Sequence, residues 1–495
     1  MAATKEKKRF LATFSLPDGH SAFGELRLKG EDTLLRLKSD KLLGRIEDGS
    51  HLQGVTLDHK LVTCIDCISP GTGHHWSKAG ITHYHADVFP HYVTVGGEHL
   101  RPDYAMVRAI SFRVSDLPAL FYDFDAFGHV IGSDKVIDAV LEEARKRRAV
   151  EAGEWPQVCY FTGKDTVAEI ETPIGKISVN HRPSFSMGGP EGVFIKNRMA
   201  VSIEPEAPVT FKDIIDRMLT LRRFLSMAAG RRQGIQSVGL TTATPAQEPG
   251  QALELHWSYA RKGVGKCASQ HRPHPGDVPL DPINRLGEFS AVLKNWLERE
   301  NGWRVPRIRY IDCLHKGNRY SVDRLVAAAN MFDILPSEAL PAAAGLPADL
   351  EATRAACFDL LRKHAVGHDR DSALSALGRM GKPSLPKKVL HRTSIVVERF
   401  GSKFAELSLA TSTAVKCRNF FVHGSSSDFD YFKVEHLTPF LTDALEFVFS
   451  ASDFIEAGWD AERWNAQNHG VGHNFARFRN GFDAGIKDLK LALGM

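Results

Sequence analysis

The chain has 495 residues, of which 43% are hydrophobic and 25% are charged, and its formal net charge is +4. This length predicts about two to four globular domains, and the small charge excludes a global field that would hold nucleic acid, so any RNA contact must be local. No apolar run is long enough to span a membrane. The seven scattered cysteines indicate reduced thiols, and with no signal-peptide pattern they predict a cytoplasmic protein.

Residues 1–205 are predicted to form a β-rich domain. Hydrophobic residues alternate with polar ones, as at Ile110, Phe112 and Val114, which is the pattern of half-buried strands. Glycine and proline separate many such short runs, which favours a β-sandwich or jelly roll. One helix is expected to interrupt the strands, with Ser133 as its N-cap and an end near Arg148.

Residues 206–345 are predicted to form a mixed, mainly helical middle region. Thr210 can cap a helix that runs to about Met227. Strand-like segments follow at 234–240 and 253–258, and helical patterns follow at 283–298 and 322–335. The segment 336–347, with three prolines, is predicted to be a linker.

Residues 346–495 are predicted to form an all-α bundle, so the expected fold class is α+β. Helical patterns cover 348–364, 387–400, 403–422, 433–457 and 474–493. In the third of these helices, a stripe with helical spacing is expected to face the core, and it consists of Phe404, Leu407, Ala414, Cys417 and Phe421.

The end of that third helix carries a candidate site made of Arg418, Asn419 and His423, followed by Gly424. A guanidinium binds phosphate, and an imidazole moves protons near neutral pH, so these groups suit phosphodiester chemistry. Arginine and histidine separated by four or five residues occur five times in this chain, so the spacing alone says little. Only the copy at Arg418 adds the asparagine, the apolar filler and the glycine stop.

At these residues the chain resembles the HEPN superfamily, whose ribonucleases carry an Arg-x4–6-His motif that usually has a polar residue after the arginine. A long amphipathic pattern precedes the motif here, and a serine-rich loop, Ser425 to Ser427, follows it. The N-terminal part, including Gly24-Glu25-Leu26-Arg27-Leu28 and the segment around Cys67, is similar to the N-terminal domain of ApeA-type proteins. These are bacterial HEPN proteins of antiphage abortive infection.

The resemblance implies an endoribonuclease that needs no metal or other cofactor and cleaves RNA, with tRNA as one possible target. The ribose 2′-hydroxyl would attack the adjacent phosphate, His423 would move a proton and Arg418 would hold the phosphate oxygens. Asn419 would hold the imidazole or the phosphate. The negative end of the helix dipole favours imidazolium, and therefore the acid role. One histidine per motif implies a homodimer with a composite site, and a phage-derived trigger is expected.

Other interpretations stay open. A non-catalytic HEPN protein could use the bundle only to dimerise or to bind RNA, with the β-domain sensing a ligand. A β-sandwich that binds a ligand could line a sugar site with aromatic residues such as Trp76. A zinc site is a weak third possibility, because the spacing lacks an orderly second pair of ligands. Its candidate ligands are Cys64, Cys67, His74, His75, His83, His85 and His91.

Overall fold

The computed structural model describes residues 8–76, 82–186, 188–243, 252–259, 272–341, 345–424 and 429–495. The chain divides into two compact units. Unit 1 comprises Met1–Ala268, Arg272–Pro275 and Leu280–Leu297, and unit 2 comprises Ser269–His271, Gly276–Pro279 and Glu298–Met495. The expected boundaries near residues 205 and 345 stay a prediction.

Unit 1 is built mainly from β-strands. In the described residues these are β1 Lys8–Ser15, β2 Ser21–Leu28, β3 Leu34–Ser39, β4 Ser50–Thr56, β5 Leu61–Trp76, β6 Thr82–Gly96, β7 Val107–Val114, β8 Phe127–Ile131, β9 Gln157–Phe161, β10 Thr166–Thr172, β11 Gly175–His181, β12 Ser184–Phe185, β13 Ile195–Lys196, β14 Met199–Glu204, β15 Ile235–Thr242 and β16 Ala252–Trp257. Its helices are α1 Leu117–Leu120, α2 Asp134–Arg145, α3 Phe211–Ala228 and α4 Leu286–Glu298.

The first six strands close into an antiparallel barrel. Each strand pairs with the next in the order β1, β2, β3, β6, β5 and β4, and β4 pairs back with β1. Residues 92–96 of β6, beyond the stretch that pairs with β3, continue the same sheet through β16, β15, β7, β14, β11 and β10. The expectation of a β-rich N-terminal part is confirmed, and its strands form a barrel with a sheet extension.

The barrel interior is filled by apolar side chains that alternate along each strand. Phe14 is fully buried there, and its ring lies against Gly24 of β2 and Gly54 of β4. A Cβ at Gly24 or Gly54 would come within 2.8 or 2.7 Å of that ring, so a larger residue at either position would have to displace Phe14. These glycines therefore make room for the largest side chain of this core.

The sheet extension carries the alternating residues that the sequence singles out. Ile110, Phe112 and Val114 of β7 are buried, as expected. Helix α3 begins where predicted, because the side-chain oxygen of Thr210 accepts from the Asp213 backbone N–H at 3.2 Å. Ser133 precedes α2 but does not cap it, since its hydroxyl donates to the carbonyl of Pro156 at 3.3 Å.

Unit 2 is a helical bundle, which confirms the predicted all-α C-terminal part. Its helices in the described residues are α5 Glu300–His315, α6 Val322–Asp333, α7 Ala348–Arg362, α8 His368–Arg379, α9 Leu385–Phe400, α10 Leu407–His423, α11 Thr438–Ala457, α12 Ala461–Ala466 and α13 Asn474–Leu493. The sequence pattern does not predict α5, α8 and α12. Pro306 and the buried, charged Arg307 obscure the helical pattern of α5.

Among the described residues, no helix combines the length and the apolar character that crossing a bilayer requires.

Candidate functional site

Arg418, Asn419 and His423 all lie in the last two turns of α10. The helix stops because Gly424 adopts a left-handed φ of 86°, and its backbone N–H donates to the carbonyl of Phe420 at 3.1 Å. Glycine adopts this conformation without the steric cost that a side chain brings, which explains its place directly after the histidine. The serine-rich loop predicted after it lies outside the described residues.

The three predicted site residues meet through the guanidinium of Arg418. Its Nη1 donates to Oδ1 of Asn419 at 3.1 Å and lies 3.0 Å from Nε2 of His423. A guanidinium only donates, so a hydrogen bond here needs Nε2 as the acceptor, in the tautomer that carries its hydrogen on Nδ1. This geometry favours His423 as a proton acceptor, whereas the sequence alone predicts the acid role.

Residues of α6 and α9 complete the surroundings of Arg418. Asn330 of α6 accepts from Nε at 3.1 Å, and Asp333, one turn later, accepts from Nη2 at 3.4 Å. The other carboxylate oxygen of Asp333 lies 3.5 Å from Nζ of Lys388 on α9. These residues are not among those predicted from the sequence, although Asn330 and Asp333 are polar positions three apart in an apolar helix end.

Exposure differs across the site. The Arg418 side chain is 13% exposed, whereas His423 is exposed at the helix end. The predicted buried stripe holds for Phe404, Leu407, Ala414 and Cys417, but Phe421 is 39% exposed. The prediction for Phe421 was wrong because this last turn packs against Tyr431, at 4.6 Å between ring centroids, instead of in the bundle core.

Phe421 belongs to a terminal aromatic cluster that we define as Phe420, Phe421, Tyr431 and Phe432. The rings of Phe420 and Tyr431 stack at 5.4 Å, and Phe432 packs edge-on against both. Phe432 remains 72% exposed and Val422 is 45% exposed. The side of α10 that carries Arg418 therefore also presents an apolar surface.

Two of the other arginine–histidine pairs, Arg463 with His469 and Arg362 with His368, make different contacts. Arg463 pairs with Asp460 at 3.4 Å, while Nε2 of His469 lies 2.6 Å from the carbonyl of Trp464. The guanidinium of Arg362 lies 5.7 Å from the ring centre of Phe358. The spacing alone therefore does not bring arginine and histidine together, whereas the local context of Arg418 does.

The structure separates the candidate zinc ligands. Cys64 and Cys67 are fully buried in the barrel wall, and burial raises the pKa of both thiols, that of Cys67 to about 12. His75 and His85 stack on each other at 5.0 Å, on the part of the β5–β6 hairpin farther from those cysteines. Within the part of the chain that the structure describes, no cluster of three His, Cys, Asp or Glu could hold a metal ion.

The basic run Arg145-Lys146-Arg147-Arg148 lies at the exposed end of α2. Nζ of Lys146 lies 2.8 Å from Glu143, and Nη2 of Arg145 lies 2.8 Å from Asp138. These exposed pairs explain the run without a phosphate ligand.

Two protein families match this chain. The family described as ApeA N-terminal domain 1 matches residues 9–296, and the family described as Apea-like HEPN matches residues 326–463. Neither the curated proteins nor the solved structures contain a significant match. The first match ends within α4, close to the border between the two units, and the second contains α10 with its arginine, asparagine and histidine. With more than half of its length matched by the N-terminal family and its bundle by the helical one, the chain belongs to the ApeA-like HEPN proteins.

Proposed function

We propose that this chain is a metal-independent endoribonuclease of antiphage abortive infection that acts in the cytoplasm and cleaves RNA at Arg418, Asn419 and His423. Membership of the family supports an HEPN-type antiphage effector, and the cleavage chemistry is our extension of it. The 3.0 Å contact between Nη1 of Arg418 and Nε2 of His423 carries the proposal. It places a permanent cation beside an acceptor nitrogen, which is what phosphodiester transfer needs.

In this mechanism, Nε2 of His423 takes the proton from a ribose 2′-hydroxyl, and the resulting oxygen attacks the adjacent phosphorus. The bond between phosphorus and the 5′-oxygen breaks, which leaves a 2′,3′-cyclic phosphate and a 5′-hydroxyl. Arg418 stabilises the charge that builds on the non-bridging oxygens. Asn419 accepts from the same Nη1 and so keeps the guanidinium next to the imidazole.

The leaving 5′-oxygen needs a proton, and each chain supplies one histidine in the motif. We assign this proton to His423 of a second copy, in a homodimer whose two motifs face each other. The exposed Phe421, Val422 and Phe432 support this arrangement, because they give the helix end an apolar surface that a second copy could cover.

Replacing His423 with alanine tests the proposal. His423→Ala should reduce the RNA cleavage rate by about a hundredfold or more, because it removes the proton-transfer group. His436→Ala is the matched control, since His436 is an exposed histidine of the same unit, and it should cut at the wild-type rate. Cleavage by the wild-type chain should persist in EDTA and leave 2′,3′-cyclic phosphate ends.

Three outcomes separate the alternatives. If His423→Ala cuts RNA as fast as the control, the assigned site is wrong. If the wild-type chain binds RNA and dimerises but yields no cyclic phosphate ends under any condition that activates the intact chain, the non-catalytic interpretation replaces ours. Loss of cleavage in EDTA would assign the activity to a metal site instead.

A further inference from the structure

The contacts of Arg418 leave the guanidinium little freedom to grip a substrate. A guanidinium has five N–H groups, one on Nε and two on each Nη. In the structure, Nε donates to Asn330, Nη1 serves both Asn419 and His423, and Nη2 donates to Asp333. Both N–H groups of Nη2 become available to a phosphate oxygen only if the Asp333 contact opens, whereas the contacts to Asn330, Asn419 and His423 can stay.

The contact to Asp333 is the one best suited to open. At 3.4 Å it is the longest of the contacts that Arg418 makes, and the Asp333 side chain is 37% exposed. Its carboxylate occupies the same edge of the guanidinium that a phosphate oxygen would take. Lys388 lies on the other side, with Nζ 3.5 Å from Oδ1 of Asp333 and 2.9 Å from its backbone carbonyl oxygen. The aspartate therefore keeps a cationic partner when it leaves Arg418.

We infer that Asn330 and Asp333 are positioning residues for Arg418, and that the RNA phosphate exchanges with the Asp333 carboxylate at Nη2. Asn330 holds Nε in place throughout, which fixes the plane of the guanidinium. Asp333 holds the other edge until substrate binds, and Lys388 then retains the carboxylate. This inference rests on the proposed function, since it assigns these residues to the same site.

The exchange predicts that removing the charge of Asp333 strengthens RNA binding. Asp333→Asn keeps an oxygen that can accept from Nη2 but no longer competes as an anion. Binding of a 2′-O-methyl RNA, which has no free 2′-hydroxyl and cannot be cut, should become about threefold to tenfold tighter at low salt and less so at high salt. Asp323→Asn is the matched control, because it makes the same charge change at an exposed position in the first turn of α6.

Asn330 should act on the chemical step instead. Asn330→Ala should lower kcat by about tenfold or more with a smaller change in KM, because a tilted guanidinium misplaces the phosphate. Asn330→Asp keeps an oxygen acceptor for Nε and should restore most of kcat. A purely structural role would lower thermal stability in both variants without this rescue.

The outcomes separate this inference from the proposed function. If Asp333→Asn binds the RNA no more tightly than Asp323→Asn, the exchange is wrong, and if Asn330→Ala keeps full kcat, its positioning role is wrong. A wild-type chain that binds the uncleavable RNA but never cuts ordinary RNA overturns the proposed function, while the binding comparison still decides the exchange. A chain that binds no RNA overturns both.

Discussion

Two arginines of unit 2 differ in burial, and this difference distinguishes a structural centre from the proposed active site. Arg307 and Asp453 are both fully buried, and the guanidinium donates through Nε and Nη2 to the two carboxylate oxygens at 2.9 and 3.0 Å. Arg418 also meets an aspartate, but only through one contact of 3.4 Å to a side chain that solvent reaches. The first pair cannot separate without leaving buried charges, whereas the second can exchange with a ligand.

The surroundings of the buried pair strengthen this difference. The guanidinium groups of Arg299, Arg307 and Arg392 lie 5.0 to 5.3 Å from the ring centre of Trp303. Burial by itself would raise the pKa of Asp453, but the charges of Arg307 and Arg299 lower it by more. The pKa therefore lies below its ordinary value, and the carboxylate stays ionised. The same residue types therefore form a buried structural network in the core and the proposed active site at the end of α10.

Replacing each arginine with alanine should give opposite results. Arg307→Ala leaves Asp453 buried without its main partner and should lower the free energy of unfolding by about 3 to 5 kcal/mol. Arg418→Ala should change it by less than about 1 kcal/mol, since the lost contacts are partly exposed, but should reduce RNA cleavage about a hundredfold or more. Denaturant unfolding and cleavage assays on both variants measure this. An Arg418→Ala protein as unstable as Arg307→Ala would show that Arg418 is also structural.

A second buried centre in unit 2 contains an acid that is poorly stabilised. Arg324 binds Glu446 through two contacts of 2.8 and 2.9 Å, while the neighbouring Asp443 accepts from the hydroxyl of Tyr320 at 2.9 Å. Burial, and then the negative charge of Glu446, raise the pKa of Asp443 from the ordinary value of 3.8 to about 7. Unlike at Asp453, the nearby cations lower the pKa of Asp443 by less than burial and Glu446 raise it, so its ionised form is destabilised in the folded protein.

Asp443→Asn should therefore stabilise the protein in a pH-dependent way. Because its folded pKa lies above its unfolded value, the folded chain binds more protons between these values, so the free energy of unfolding falls as pH rises from about 4 to 7. The asparagine removes this loss, and the gain should be about 4 kcal/mol at about pH 8 and close to zero at about pH 4. Urea unfolding at both pH values measures it, with the exposed Asp488→Asn as control. An equal gain at both pH values would contradict the assignment.

The sequence predicts the elements of this fold better than their arrangement. Alternating residues such as Ile110 and Phe112 predict strands because burial on one face imposes a period of two. Closure of the barrel depends on pairing between strands far apart in the chain, such as β1 with β4 and β3 with β6, and no local pattern carries that information. Helix α5 is not predicted for the same reason. Its Arg307 can be buried only because Asp453, in a helix far along the chain, accepts from it.

The candidate site divides in the same way. Arg418, Asn419 and His423 are within one helix, so their spacing and the glycine stop predict their proximity. Asn330 and Asp333 reach Arg418 only through the packing of α6 against α10, at a separation of 85 to 88 residues in the chain. Their position on the polar border of an apolar helix indicates a polar contact, but it does not show that Arg418 is the partner.

The smallest effect should come from another arginine–histidine pair, Arg362 and His368. His368 is 97% exposed, and the Arg362 guanidinium packs over Phe358, so this pair has the spacing of the motif without its contact. His368→Ala should change the cleavage rate by less than about twofold, because this exposed histidine is not next to an arginine that could hold the phosphate and takes no part in the proposed proton transfer. The measurement is the same cleavage assay used for His423→Ala. If His368→Ala lost as much activity, spacing rather than geometry would define the site, and the contrast between Arg418 and the other pairs would fail.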